Sequence, residues 1–73
     1  MSNPLPLGQV VRAALADAGI SENAASVQSG IPRETLRRRV ITGDFRYGEL
    51  QKVALVLNTT AVELMARAEG RAA

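Results

Sequence analysis

Four of the nine basic residues of this chain, Arg33, Arg37, Arg38 and Arg39, fall within the segment GIPRETLRRRVITG, residues 30–43. Arginine carries a planar fork of donors that matches a guanine edge or a phosphate bidentately, so such a cluster points to anion or nucleic-acid contact. The spacing predicts a short helix bracketed by glycines. Leu36 and Val40, four residues apart, share one face and can anchor it to a core. Glu34, Arg38 and Ile41 fall on the opposite face, with Arg33 and Arg37 on its shoulder. A helix of about ten residues is roughly 15 Å long, a size that enters a DNA major groove. The segment reads as a recognition helix.

Other chemistries are poorly served. The chain has no Cys and no His, which removes disulfides, thiolate or imidazole metal sites, and Ser/His or Cys/His nucleophile pairs. Its carboxylates are expected at helix ends or on solvated faces, so neither an enzyme nor a cofactor is expected. Net charge is only +2, but it is unevenly spread. Residues 33–46 hold five arginines against Glu34 and Asp44, a local charge of +3, and the remainder sums to −1. That asymmetry favours a polyanionic partner. The longest purely apolar run, Val53 to Leu57, is far below a membrane-spanning length, and no signal-peptide pattern opens the chain. A soluble, cytoplasmic protein with no membrane partner is expected.

The elements that must position the arginines can be read from periodicity. With 73 residues and 47% hydrophobic composition, one small all-α domain is expected. Residues 1–6 hold two prolines and read as a disordered lead-in, and 70–73 read as a tail. Between them, residues 7–69 read as five short helices. Leu7, Val10, Val11, Ala14, Leu15 and Ala18 repeat with helical spacing until Gly19. Ser21 can cap a second helix from Glu22 to Ser29, whose Ala24, Ala25, Ser26 and Val27 would face the interior. Gly30 breaks it, and Pro32 suits the first turn of the third helix. A fourth helix, roughly Arg46 to Leu57, carries Tyr47, Leu50, Val53, Ala54 and Leu57 on one stripe. Thr60 and Glu63 form a capping-box pattern for a fifth, with Val62, Leu64, Met65 and Ala68 on its apolar side.

Two short helices with a glycine turn between them, small residues on the first and arginines on the second, suggest a helix-turn-helix over about residues 21–42. At this point the chain resembles the lambda Cro and repressor-type (XRE-like) DNA-binding family, over roughly Leu7 to Ala66. The resemblance is carried by Ala25-Ser26, Gly30-Ile31, Thr35-Leu36, Gly43, Phe45 and the block from Glu49 to Leu57. The chain departs from the family pattern at Glu22, often a phosphate-contacting Gln, and at Arg39, commonly apolar, where Val40 takes over the anchoring role. The resemblance implies a lambda-repressor-like fold in which the helix ending in that block buttresses the recognition helix. It also implies a transcriptional regulator, a phage-type repressor or Cro, acting by operator occupancy on double-stranded DNA. The contact set is then Arg33, Glu34, Thr35, Arg37, Arg38, Arg39 and Arg46.

Each of these residues also has an intramolecular reading. A run of arginines is commonly a solvated helix face. Glu34 can accept from a cytosine amino group, or favour the helix dipole and pair with Arg38; the second needs no partner molecule. Arg46 can hold a phosphate at the start of the fourth helix or be a plain surface charge. Phe45 and Tyr47 are expected in the core, as is Met65, which would make a dimer contact if exposed. Weak homodimerisation, mainly on DNA and through the fifth helix, is expected. Two other functions fit the same pattern: a helical protein-interaction module such as an antitoxin or anti-regulator, and a phage recombination accessory factor.

Overall fold

The computed structural model describes residues 6–70, and among these it is all-helical. The expected lead-in before Pro6 and the tail after Gly70 lie outside the described residues. Five helices follow one another: α1 Leu7–Asp17, α2 Glu22–Ser29, α3 Arg33–Thr42, α4 Tyr47–Val56 and α5 Ala61–Ala68.

Local chemistry explains most of the boundaries. The α1 helix ends in a Schellman motif, the Ile20 N–H donating to the Leu15 carbonyl at 2.9 Å and the Gly19 N–H to Ala16 at 3.1 Å. Ser21 Oγ accepts the Ala24 N–H at 3.1 Å and starts α2. The α4 helix ends in a second Schellman motif, with Asn58 rather than glycine in the left-handed conformation (φ 58°). There the Thr59 N–H donates to Ala54 at 2.8 Å and the Asn58 N–H to Leu55 at 3.1 Å. Thr60 Oγ1 accepts the Glu63 N–H at 3.1 Å, the hydroxyl half of the expected capping box.

The core is aliphatic and draws on every helix. Val10, Val11 and Leu15 come from α1, Ala25 from α2, Leu36 and Val40 from α3, Leu50, Val53 and Ala54 from α4, and Ala61 and Leu64 from α5. Ile31, in the turn between α2 and α3, is also buried, and Phe45 and Met65 pack partly buried against the cluster. Among the described residues no polar or charged residue is buried. The α1 helix packs on α3 and α5, α2 packs on α3 and α4, and α4 packs on α5.

Three apolar side chains expected inside are instead exposed. Val27 is 76% exposed, Tyr47 54% and Val62 63%. Tyr47 and Val62 lie beside the buried stripes of their helices, and Val27, two residues after Ala25, lies on the far side of α2. In α2 only Ala25 is fully buried, because a helix pressed against two neighbours presents its small residue to both. In α5, Ala61 and Leu64 face inward and turn Val62 outward. Tyr47 opens α4, at the margin of the stripe formed by Leu50, Val53 and Ala54.

Candidate nucleic-acid interface

The placement of α3 rests on contacts made by residues that carry no charge. Leu36 is fully buried and Val40 is 5% exposed, which fixes the rotation of the helix about its axis. At its far end α3 lies against the start of α1. A Cβ built on Gly8 would sit 1.9 Å from the Val40 carbonyl oxygen, so only a glycine permits this approach. Nothing in the periodicity of α1 distinguishes Gly8 as a contact point; its one signal is a glycine inside a helical pattern.

The turn leading into α3 is braced by two serines of α2. Ser26 Oγ donates to the Ile31 carbonyl at 2.6 Å, and the Ile31 N–H donates to Ser29 Oγ at 3.2 Å. Gly30 takes the left-handed conformation (φ 77°) that the reversal needs, and the Ile31 side chain plugs into the core beneath it. Pro32 stands one place earlier than expected, as the N-cap of α3 rather than inside its first turn. At the other end Thr42 Oγ1 donates to the Arg38 carbonyl at 2.9 Å and accepts the Asp44 N–H at 3.2 Å, closing the last turn.

With α3 held in this way, Arg33, Glu34, Arg37, Arg38 and Ile41 are exposed along its outer side. Glu34, Arg37, Arg38 and Ile41 line one shallow groove there. Thr35 and Arg39 are half-buried, on the flank of the helix. Arg46 is exposed as the N-cap of α4. The structure therefore brings Arg33, Glu34, Arg37 and Arg38 onto one accessible side, and sets Arg39 apart.

Arg39 is engaged within the fold. Its Nε donates to Glu49 Oε1 at 2.9 Å, and the same oxygen accepts the Arg46 backbone N–H at 3.1 Å. One carboxylate thus ties the end of α3 to the start of α4. Burial pushes the Glu49 carboxyl up, but the Arg46 N–H and the Arg39 guanidinium outweigh it and hold its pKa below the ordinary value. The α3 helix packs most extensively on α1 and α2, and α4, packed on α2 and α5, joins it through the Glu49 clasp and the shared core.

The expected Glu34–Arg38 pair is not formed. Among the described residues the ion pair is Arg39–Glu49, which leaves Arg33, Arg37, Arg38 and Arg46 with no described carboxylate within bridging distance. Four exposed guanidinium groups without a partner carboxylate among the described residues offer their donors to an external anion. The α3 helix, like α1, starts without a side-chain cap, whereas Ser21 and Thr60 cap α2 and α5 and the Glu49 carboxylate accepts the N-cap N–H of α4. Elsewhere, Tyr47, Ala54, Leu55, Ala61 and Val62 line an uncharged groove between α4 and α5. Leu55, at 78%, is the most exposed large apolar side chain.

Among the described residues, no group of three or more His, Cys, Asp or Glu side chains is placed to hold a metal ion, and no helix is long and apolar enough to cross a membrane. In comparisons with known proteins, no family model, no curated protein and no solved structure matches the chain.

Proposed function

We propose that this protein is a sequence-specific double-stranded DNA-binding regulator of transcription, of the Cro or repressor type, acting from the cytoplasm by occupying its operator. The observation that carries the reading is the outer side of α3. Arg33, Arg37 and Arg38 project from a helix whose rotation is fixed by Leu36 and Val40, and no carboxylate among the described residues engages them. In the mechanism that follows, α3 enters the major groove and Arg38 reads a base edge, with Glu34 accepting from cytosine where the sequence offers it. Arg33, Arg37, Arg46 and the uncapped first N–H groups of α3 set the register on phosphates. Thr35, on the flank, borders the same surface. Occupancy blocks polymerase or a competing regulator, with no cofactor and no catalytic step.

A protein contact has its own supporting observation. Tyr47, Leu55 and Val62, three strongly exposed apolar side chains, share the α4–α5 groove. We assign this surface to a weak association of two copies on adjacent half-sites, consistent with a regulator that pairs mainly on DNA.

Selection of sites from a random duplex pool tests the proposal. Recovery of a discrete consensus, palindromic if two copies pair, is the expected result. Failure to retain any duplex at low salt would remove the DNA reading and leave the interaction module in front.

A further inference from the structure

The outer side of α3 is not uniformly polar. Ile41 is 65% exposed and lies in the groove with Glu34, Arg37 and Arg38. An isoleucine in that position is ill placed for an apolar protein partner, because burying it would also desolvate two guanidinium groups and a carboxylate. A surface that offers a methyl group next to strong acceptors suits Ile41 and the two arginines at once, and the amino group of a cytosine paired with guanine supplies the donor that Glu34 needs. The DNA major groove offers that combination where a thymine, with its C5-methyl, neighbours a guanine, with its O6 and N7 acceptors.

We propose that Ile41 is a specificity-determining residue that reads the C5-methyl of a thymine within one or two base pairs of the base read by Arg38. The inference rests on the DNA-binding reading above and adds a position to it. Ile41 follows Arg38 by three residues, about 4.5 Å along the helix axis, a little more than one base step. The side chain is also held before any ligand arrives. β-Branching leaves isoleucine one strongly preferred χ1 in a helix. The Thr42 hydroxyl, bonded to the Arg38 carbonyl at 2.9 Å, keeps this last turn closed. Placing Ile41 against a methyl therefore costs little further side-chain ordering.

The test uses the full chain and a duplex selected from a random pool, with each thymine replaced singly by deoxyuridine, which removes the methyl and leaves base pairing intact. Removing one buried methyl corresponds to a loss of about fourfold in affinity. The expected result is such a loss at one thymine near a guanine that Arg38→Ala no longer distinguishes. Ile41→Ala, a change at an exposed helix position, should melt like the parent and bind the thymine and deoxyuridine duplexes equally. Ile41→Val should keep the discrimination. Insensitivity of the parent at every thymine overturns the inference, as does an Ile41→Ala variant that still discriminates at the same position. In both cases specific DNA binding itself survives. Absence of any duplex binding by the parent would overturn the underlying functional reading instead.

Discussion

Arg38 and Arg39 are adjacent in the chain and belong to different systems. Arg38 is exposed on the outer side of α3, and Arg39 is half-buried against Glu49. Arg38→Ala should therefore leave the thermal melt almost unchanged, within about 0.5 kcal/mol, and weaken specific binding by about 1–3 kcal/mol with relaxed preference at one base pair. Arg39→Ala should do the reverse, lowering stability by about 1 kcal/mol through the lost charge-assisted bond and changing sequence preference little. Paired melts and titrations on operator and scrambled duplexes check both. Parent-like operator binding by Arg38→Ala would mean that α3 does not read DNA with this side. Glu49 adds a pH dependence of known sign. Its folded pKa lies below the ordinary glutamate value, so its contribution is present above that value and is lost as pH falls through the folded pKa. Melts from pH 7 down to pH 2 should show an acid loss that Glu49→Gln lacks, the variant being the less stable of the two at neutral pH. Parallel acid profiles would show that the clasp contributes nothing.

At the scale of elements, two helical glycines make opposite demands. Gly8 lies where α1 crosses the end of α3, and any Cβ there meets the Val40 carbonyl; Gly48 lies in the first turn of α4 with nothing within 4 Å of its would-be Cβ. Gly8→Ala should destabilise by about 1–3 kcal/mol, because the two helices must part to admit the methyl group. Parting α1 from α3 also moves the arginines, so operator affinity should fall under conditions where the variant is still folded. Gly48→Ala should stabilise by about 0.5 kcal/mol, since it replaces the most flexible residue in a helix without steric conflict. Denaturant midpoints of both variants decide the matter. A neutral Gly8→Ala would show that the α1–α3 approach is looser than the fold describes.

For the whole molecule, the decisive quantity is the response of binding to salt. Two copies touching about 6–10 phosphates should lose roughly three to five decades of affinity between 50 and 200 mM salt. A flat response would remove the electrostatic role given to residues 33–46. The small core also limits self-association. The apolar surface outside it is concentrated at Tyr47, Leu55 and Val62, so the free protein should sediment mainly as a monomer at micromolar concentration and pair on its operator. Val62→Asp should then reduce cooperativity on a two-half-site duplex and leave single-site affinity intact.

The five helices and their ends were legible in the sequence, because they depend on neighbours a few residues apart. Helical spacing marked the apolar faces, Ser21 and Thr60 marked starts, and Gly19, Gly30 and Gly43 marked stops. The outward rotation of α3 was legible too, since Leu36 and Val40 leave Arg38 on the far side. What only the tertiary structure decided were relations between elements. The Gly8–Val40 approach joins α1 to the end of α3, and the Arg39–Glu49 clasp spans ten positions of chain. Tyr47 and Val62 read as core residues by period, and the fold left them outside because the neighbours of α4 and α5 cover only part of each apolar stripe. Periodicity identifies which residues share a face; which parts of that face are covered depends on where the next helix lies, and that is settled by packing across the whole chain.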